Sequence, residues 1–192
     1  ATVTVMVEDG GLDNNLSTAG DNATFSRVFD VTVISVAEVV GRHIFYNNSA
    51  LDGDDPLPNV SDDAAIALDK NALLPGGITS AANYTSYWRG ITGVMVDIAG
   101  LDAGYTPVVD DFGIRINESP DTNTWAGLPA ASVDIRRGAG LDGSDRITLL
   151  WDDGAIVNRW IEVTAKSNAN GGGMGLAEDD MFYFGSSVAD TD

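Results

Sequence analysis

The chain of 192 residues contains no cysteine, which excludes disulfides, thiolate metal sites and cysteine nucleophiles. Basic residues are scarce: ten Lys and Arg stand against 29 Asp and Glu, a net charge of −19. Such a surface repels phosphate backbones and anionic headgroups, so nucleic acid and membrane are not expected as partners. No apolar run approaches the roughly 20 residues of a membrane helix. No signal peptide opens the chain, because Ala1 leads directly into an alternating strand pattern, and any export signal is expected upstream. Histidine occurs once, at His43, with no nucleophile elbow, no H-E-x-x-H and no phosphate-cradling loop. A glycoside hydrolase needs two placed carboxylates; carboxylates abound, but no pair stands out. The expectation is a protein that is not an enzyme. Helical periodicity is nearly absent too. Its one candidate is residues 61–74 (SDDAAIALDKNALL), with Ser61 as N-cap and Asp62 and Asp63 in the first turn, and the same stretch reads equally as a loop wrapping a metal.

What is present is a strand pattern. The chain is 44% hydrophobic, enough for a core, and its length allows one sandwich of about 150 residues plus an extra piece. Short β-rich runs recur between Gly- and Asp-rich turns: 2–7, 29–36, 44–46, 91–98, 112–116, 132–136, 146–151, 160–165 and 181–184. Alternation in TVTVMV and WIEVTA gives each strand one buried and one wet face. The pattern predicts an all-β, jelly-roll-like β-sandwich of mostly antiparallel strands with long acidic loops. Trp151 and Trp160 lie in apolar strands and are expected in the core. A composition break near 36–41 separates residues 1–36, read as a terminal hairpin or added edge strands, from a sandwich over 37–192.

The acids are unevenly chosen, 24 Asp against five Glu. Six of them, Asp52, Asp54, Asp55, Asp62, Asp63 and Asp69, fall within 18 positions, interleaved with Asn48, Asn59, Gly53, Pro56 and Pro58. Calcium takes six to eight oxygens from such groups, whereas so many anions in one loop repel one another. The spacing is not that of an EF-hand. The expected cofactor is Ca2+, held by those six Asp for structural purposes. Asp110 with Asp111 and Asp142 with Asp145 read as turns; Glu178, Asp179 and Asp180 could join a second ion site.

Sugar recognition needs an aromatic face for the C–H side of a pyranose and planar polar groups for its hydroxyl pairs. Tyr84, Tyr87, Trp88 and Arg89 supply one set, with Asn83 beside them. Asn158, Arg159 and Trp160 supply a second, and His43, Arg115 and Trp125 could extend either. Trp88 beside Arg89 is the best single candidate.

Two resemblances add to this reading. ATVTVMVEDGGLDNN…SRVFDVTV resembles the last two strands of the cadherin-like or immunoglobulin-like repeats of giant bacterial surface proteins. RHIFYNNSALDGDDPLPNVSDDAAIALDKNALLPG, ANYTSYWRGITGVMVDIAGL, GAGLDGSDRITLLWDDGAIVNRWIEVTA and MFYFGSSVADTD resemble a module found beside dockerin domains in large exported bacterial proteins. The resemblance implies an appended, non-enzymatic β-sandwich, secreted or on the cell surface, with other domains of the same polypeptide as neighbours. The combined expectation is a calcium-stabilised, monomeric module that binds a polysaccharide, more readily a neutral one given the acidity. The alternative is a structural or adhesion spacer that uses calcium for rigidity alone.

Overall fold

The alternation at the start of the chain becomes β1 (Thr2–Glu8), which pairs antiparallel with β2 (Thr24–Asp30) from Thr2↔Asp30 to Glu8↔Thr24. These strands belong to a computed structural model that describes residues 2–17, 20, 22–30, 36–117, 124–130, 132–167 and 173–188. The chain divides into two compact units, Ala1–Ser35 and Val36–Asp192. The first is the hairpin. Asp9 closes its loop by accepting the N–H groups of Gly11 and Ala23 at 3.0 and 2.9 Å. Every residue of both strands is exposed, Val5, Val7, Phe25, Val28 and Phe29 among them. The strand predicted at 29–36 instead starts at Thr24, because the ladder pairs all seven residues of TFSRVFD with TVTVMVE; residues 31–35 lie outside the described residues.

The second unit is an all-β sandwich. One sheet has four antiparallel strands in the order β3 (Glu38–Phe45), β5 (Gly93–Ala99), β9 (Asp145–Leu150) and β8 (Ser132–Arg136). The other runs β4 (Tyr84–Thr85), β11 (Asp180–Ser186), β10 (Trp160–Ala165), β6 (Phe112–Asn117) and β7 (Ala126–Gly127). Its pairings are antiparallel except β4 with β11, which is parallel. Inward residues of both sheets form one core: Ile44, Val94, Val96, Ile98, Ile147 and Leu149 meet Phe112, Ile114, Ile161, Val163, Phe182 and Phe184. Trp151 joins that core, as its apolar strand predicts.

The run GVMVDIA of β5 is buried on both sides because both sides are covered. Its outward Met95 packs with Phe45, Leu150 and Ala65 in a second cluster, and Ala65 comes from the acidic segment that follows β3. That segment folds back over the outer face of the four-stranded sheet. It is stitched to β3 where Tyr46 N–H donates to Ala65 O at 3.1 Å and Ala67 N–H donates to Ile44 O at 3.0 Å.

This stitching overrides the helix considered for residues 61–74. Only a 3₁₀ segment, Val60–Ala65, forms; Ile66 is then captured by a bridge to Phe45. The N-cap is Asn59 rather than Ser61: its side chain accepts Ser61 N–H at 2.7 Å, while Asp62 returns the favour to Asn59 N–H at 2.9 Å. Edge backbone and an apolar pocket outcompete helix propensity here. Among the described residues, no helix is long and apolar enough to cross a membrane.

Candidate functional site

The six clustered aspartates separate into three behaviours. Asp54 and Asp55 serve the loop itself. Asp54 takes a left-handed turn position (φ 59°), and Asp55 accepts Leu57 N–H and the Asn59 amide, both at 2.9 Å. Asp63 and Asp69 are paired with cations, exposed Asp69 with its neighbour Lys70 and Asp63 with Arg136 and Arg146. Asp52 and Asp62 are buried, at 4% and 0% exposure. Each uses one oxygen for the loop: Asp52 Oδ1 accepts Ser49 N–H at 2.9 Å, and Asp62 Oδ2 accepts Asn59 N–H. Among the described residues, their second oxygens, Asp52 Oδ2 and Asp62 Oδ1, meet no donor, and neither does the buried Asn47 Oδ1. Among the described residues, no three His, Asp or Glu side chains gather into a metal-holding group.

Beneath Asp63 lies a charged network on the outward side of the four-stranded sheet. Registered across β5 and β9, Asp97 and Arg146 form a two-pronged pair, Nε to Oδ1 and Nη2 to Oδ2, both 2.7 Å. Asp97 is fully buried and also accepts Leu141 N–H at 3.0 Å, with His43 Nε2 at 3.3 Å. Burial alone would raise the Asp97 carboxyl, but Arg146, with help from His43 and Leu141, holds it well below the usual carboxylate range. Asp63 is likewise lowered, its burial outweighed by Arg136 and Arg146. In contrast Asp62 is raised, first by burial and further by the charge of Asp52, against the pull of Asn59 N–H. His43 therefore belongs to an ion network and lies away from the aromatic residues it was considered to extend.

The outward side of the five-stranded sheet is built differently. Ile161, Val163, Phe182 and Phe184 point inward, so Trp160 and Glu162 of β10, and Tyr183 and Gly185 of β11, point outward. Cross-strand register then lines them up in two rows. One holds Tyr84, Gly185, Trp160 and Asn117; the other holds Tyr183, Glu162 and Arg115. Gly185 lets the aromatic row close up. A Cβ there would fall 2.9 Å from Tyr84 Cβ and 3.2 Å from the Trp160 indole. Arg115 grips Glu162 through both oxygens, Nε–Oε1 at 2.7 Å and Nη2–Oε2 at 2.8 Å. Glu162 is buried beneath that contact, while the Arg115 side chain keeps 42% of its surface in solvent. Trp125 completes the patch, its ring centre 5.8 Å from that of Tyr183 and 5.9 Å from the Arg115 guanidinium. Burial and the neighbouring Glu162 push the Tyr183 phenol up. Beside Trp160 and Tyr183 a surface groove of about 350 Å³ opens, with Leu73, Leu74, Pro75, Gly76, Gly77 and Thr79 as its other wall.

The remaining candidates lie elsewhere. Tyr87, Trp88 and Arg89 form a chain of stacked groups: Tyr46 to Tyr87 at 4.5 Å, Tyr87 to Trp88 at 6.2 Å and Arg89 over Trp88 at 4.8 Å. Trp88 is 68% exposed. Arg89 is held by Asn48 O at 2.7 Å and Asp153 at 3.0 Å, so this group sits beside the acidic loop. Asn158 and Arg159 are exposed in the turn before β10, where Asn158 takes a left-handed position (φ 53°) and accepts Val188 N–H at 2.7 Å. Asp111 accepts the Tyr105 hydroxyl at 2.7 Å, Asp145 pairs with Arg137 at 2.7 Å and Asp180 pairs with Arg42; Asp179 accepts Ser167 N–H at 2.7 Å.

Of the sequence candidates, Tyr84, Trp160, Arg115 and Trp125 fall on this aromatic sheet face, whereas Tyr183 and Glu162 were missed. Trp160, expected in the core, is instead half-buried on the outer face, because its strand begins there on the outward phase. The signal was available in the period of two. WIEVTA and MFYFG each place their two strongest apolar residues on one phase, leaving Trp160, Glu162, Tyr183 and Gly185 on the other. No family model, no curated protein and no solved structure matches the chain.

Proposed function

We propose that the chain is a non-catalytic module of a larger exported protein that binds a neutral polysaccharide across the outer face of its five-stranded sheet. One observation carries the reading: Tyr84, Trp160, Tyr183 and Trp125 share that face with Arg115, Glu162 and Asn117. Aromatic rings match the apolar C–H faces of sugar rings, and the guanidinium–carboxylate fork and amide match pairs of hydroxyls. Strand-borne side chains are fixed by the ladder, so little ordering accompanies binding. A groove of about 350 Å³ along Trp160 and Tyr183 suits a sugar unit of an open chain better than an enclosed small molecule. The net charge of −19 opposes polyanionic glycans, which leaves neutral ones.

Affinity electrophoresis and titration calorimetry against a panel of neutral and sulfated polysaccharides test this. Trp160→Ala and Tyr183→Ala should each weaken binding roughly tenfold or more, while Trp88→Ala leaves it unchanged. Binding lost only with Trp88→Ala would move the site to the end beside the acidic loop. Binding to no glycan at all would leave the spacer role, in which the module sets a distance between neighbours.

A further inference from the structure

The acidic loop over the four-stranded sheet contains a contradiction that the protein's own groups leave unresolved. Asp52 and Asp62 are both more than nine-tenths buried, yet each carries an oxygen that meets no donor. A buried carboxylate oxygen without a partner is strongly disfavoured, and two in one loop more so. They are also tied together. Asp55 N–H reaches Asp52 Oδ1 at 3.4 Å, Asp55 Oδ2 accepts the Asn59 amide, and Asn59 N–H reaches Asp62 Oδ2. The donors within this linkage all serve the other oxygen of each acid. Asn47 Oδ1, buried at 7% exposure and equally without a donor, belongs to the same loop.

Arginine resolves the neighbouring Asp63 and Asp97, but among the described residues no arginine forms an ion pair with Asp52 or Asp62. We infer that the loop binds one divalent cation between Asp52 Oδ2 and Asp62 Oδ1, with calcium favoured by an oxygen-only donor set. Calcium accepts two carboxylates together with amide or backbone carbonyls and water, which the loop can supply without a third acid. Asp54, Asp55, Asp63 and Asp69 are not ligands in this assignment: Asp54 is exposed at its turn, and the other three are spent on the loop or on a basic side chain. The inference stands apart from the glycan reading, since the aromatic face lies on the other sheet.

Thermal unfolding of the full chain at pH 7, in chelator, in 10 mM calcium and in 10 mM magnesium, tests it. Calcium should raise the Tm by roughly 5–10 °C, as expected at about a hundredfold excess over a Kd near 10⁻⁴ M. Magnesium, which sheds water reluctantly, should do less. Asp52→Asn and Asp62→Asn keep the oxygen that accepts loop N–H groups and remove one charge. Each should fold at least as well as the wild type in chelator and lose most of the calcium response. Asp54→Asn and Asp69→Asn should keep it in full. Terbium luminescence of the unaltered chain gives a second reading. Tyr46, whose N–H bonds Ala65 of the loop, stacks on Tyr87 at 4.5 Å, so a bound lanthanide should be excited through these rings and be displaced by calcium with a stoichiometry of one. No calcium-dependent Tm, a response that Asp52→Asn and Asp62→Asn both retain, or no calcium-displaceable luminescence would overturn the assignment; the second result would mean diffuse surface charge.

Discussion

The outer faces of the two sheets solve the same problem in opposite ways. Each has a strand glycine under an aromatic ring, Gly93 beneath Phe45 on one side and Gly185 beneath Trp160 on the other. Each has an arginine gripping a buried acid on the adjacent strand, Arg146 on Asp97 and Arg115 on Glu162. On the four-stranded sheet the acidic segment closes over Phe45 and the Gly140–Leu141 turn closes over Asp97, so both are wholly buried. On the five-stranded sheet Trp160 and Tyr183 line an open groove and Arg115 reaches solvent. Covered, the arrangement is a second core; uncovered, it is a surface with aromatic rings and hydrogen-bonding forks held in register.

The sharpest way to break that contrast is to strip one acid from the covered side. Asp97→Asn leaves buried Arg146 with Asp63 as its one remaining charged partner and should lower stability by about 3 kcal/mol, read from urea unfolding. The matching change on the open side, Glu162→Gln, should lower it less, because Arg115 can turn to water. If both losses were equal, covering would not be what separates the faces.

Acid sharpens the same point. The Asp97 carboxyl is depressed in the folded protein, so its contribution is fully present above the unfolded carboxylate value of about 3.9 and is lost as pH falls below it. The gap between the urea midpoints of wild type and Asp97→Asn should therefore hold from pH 6 to about pH 4 and narrow progressively only below that. A gap that stays constant would remove Asp97 as the cause.

The glycines give a smaller, graded test. Gly93→Ala would set a Cβ 2.1 Å from the Phe45 ring, inside a covered cluster, and should cost about 1–3 kcal/mol. Gly185→Ala meets its nearest atoms at 2.9 Å and 3.2 Å, where the outward Trp160 has room to give. Its expected effect on stability is under about 1 kcal/mol, while it should displace Trp160 and weaken glycan binding. Chemical denaturation and titration calorimetry of the two variants measure both quantities.

Much of the fold could be read from period-two patterns, because a strand's inward phase must be apolar whatever the topology. Which strands neighbour which could not: β9 lies between β5 and β8, and β4 joins β11 in parallel across a long stretch of chain, and such pairings leave no local trace. Candidate sites divided along the same line. Asp52 and Asp63 look alike in the sequence, yet one faces loop N–H groups and the other two arginines from β8 and β9. Trp160 and Trp151 both sit in apolar strands, and only phase and the glycine opposite separate the open ring from the core one. Burial of a carboxylate is a property of tertiary closure, so counting acids found the loop without finding the oxygens within it that lack partners.

The acidic loop is fastened at its neck, where Tyr46 and Ala67 bond to Ala65 and Ile44. Because its two ends already meet on a single strand, the entropy of joining them is lost when the sandwich forms. What enters the loop afterwards encounters a preorganised cage and has only the interior side chains left to settle, so occupancy can respond to concentration without the sandwich itself opening.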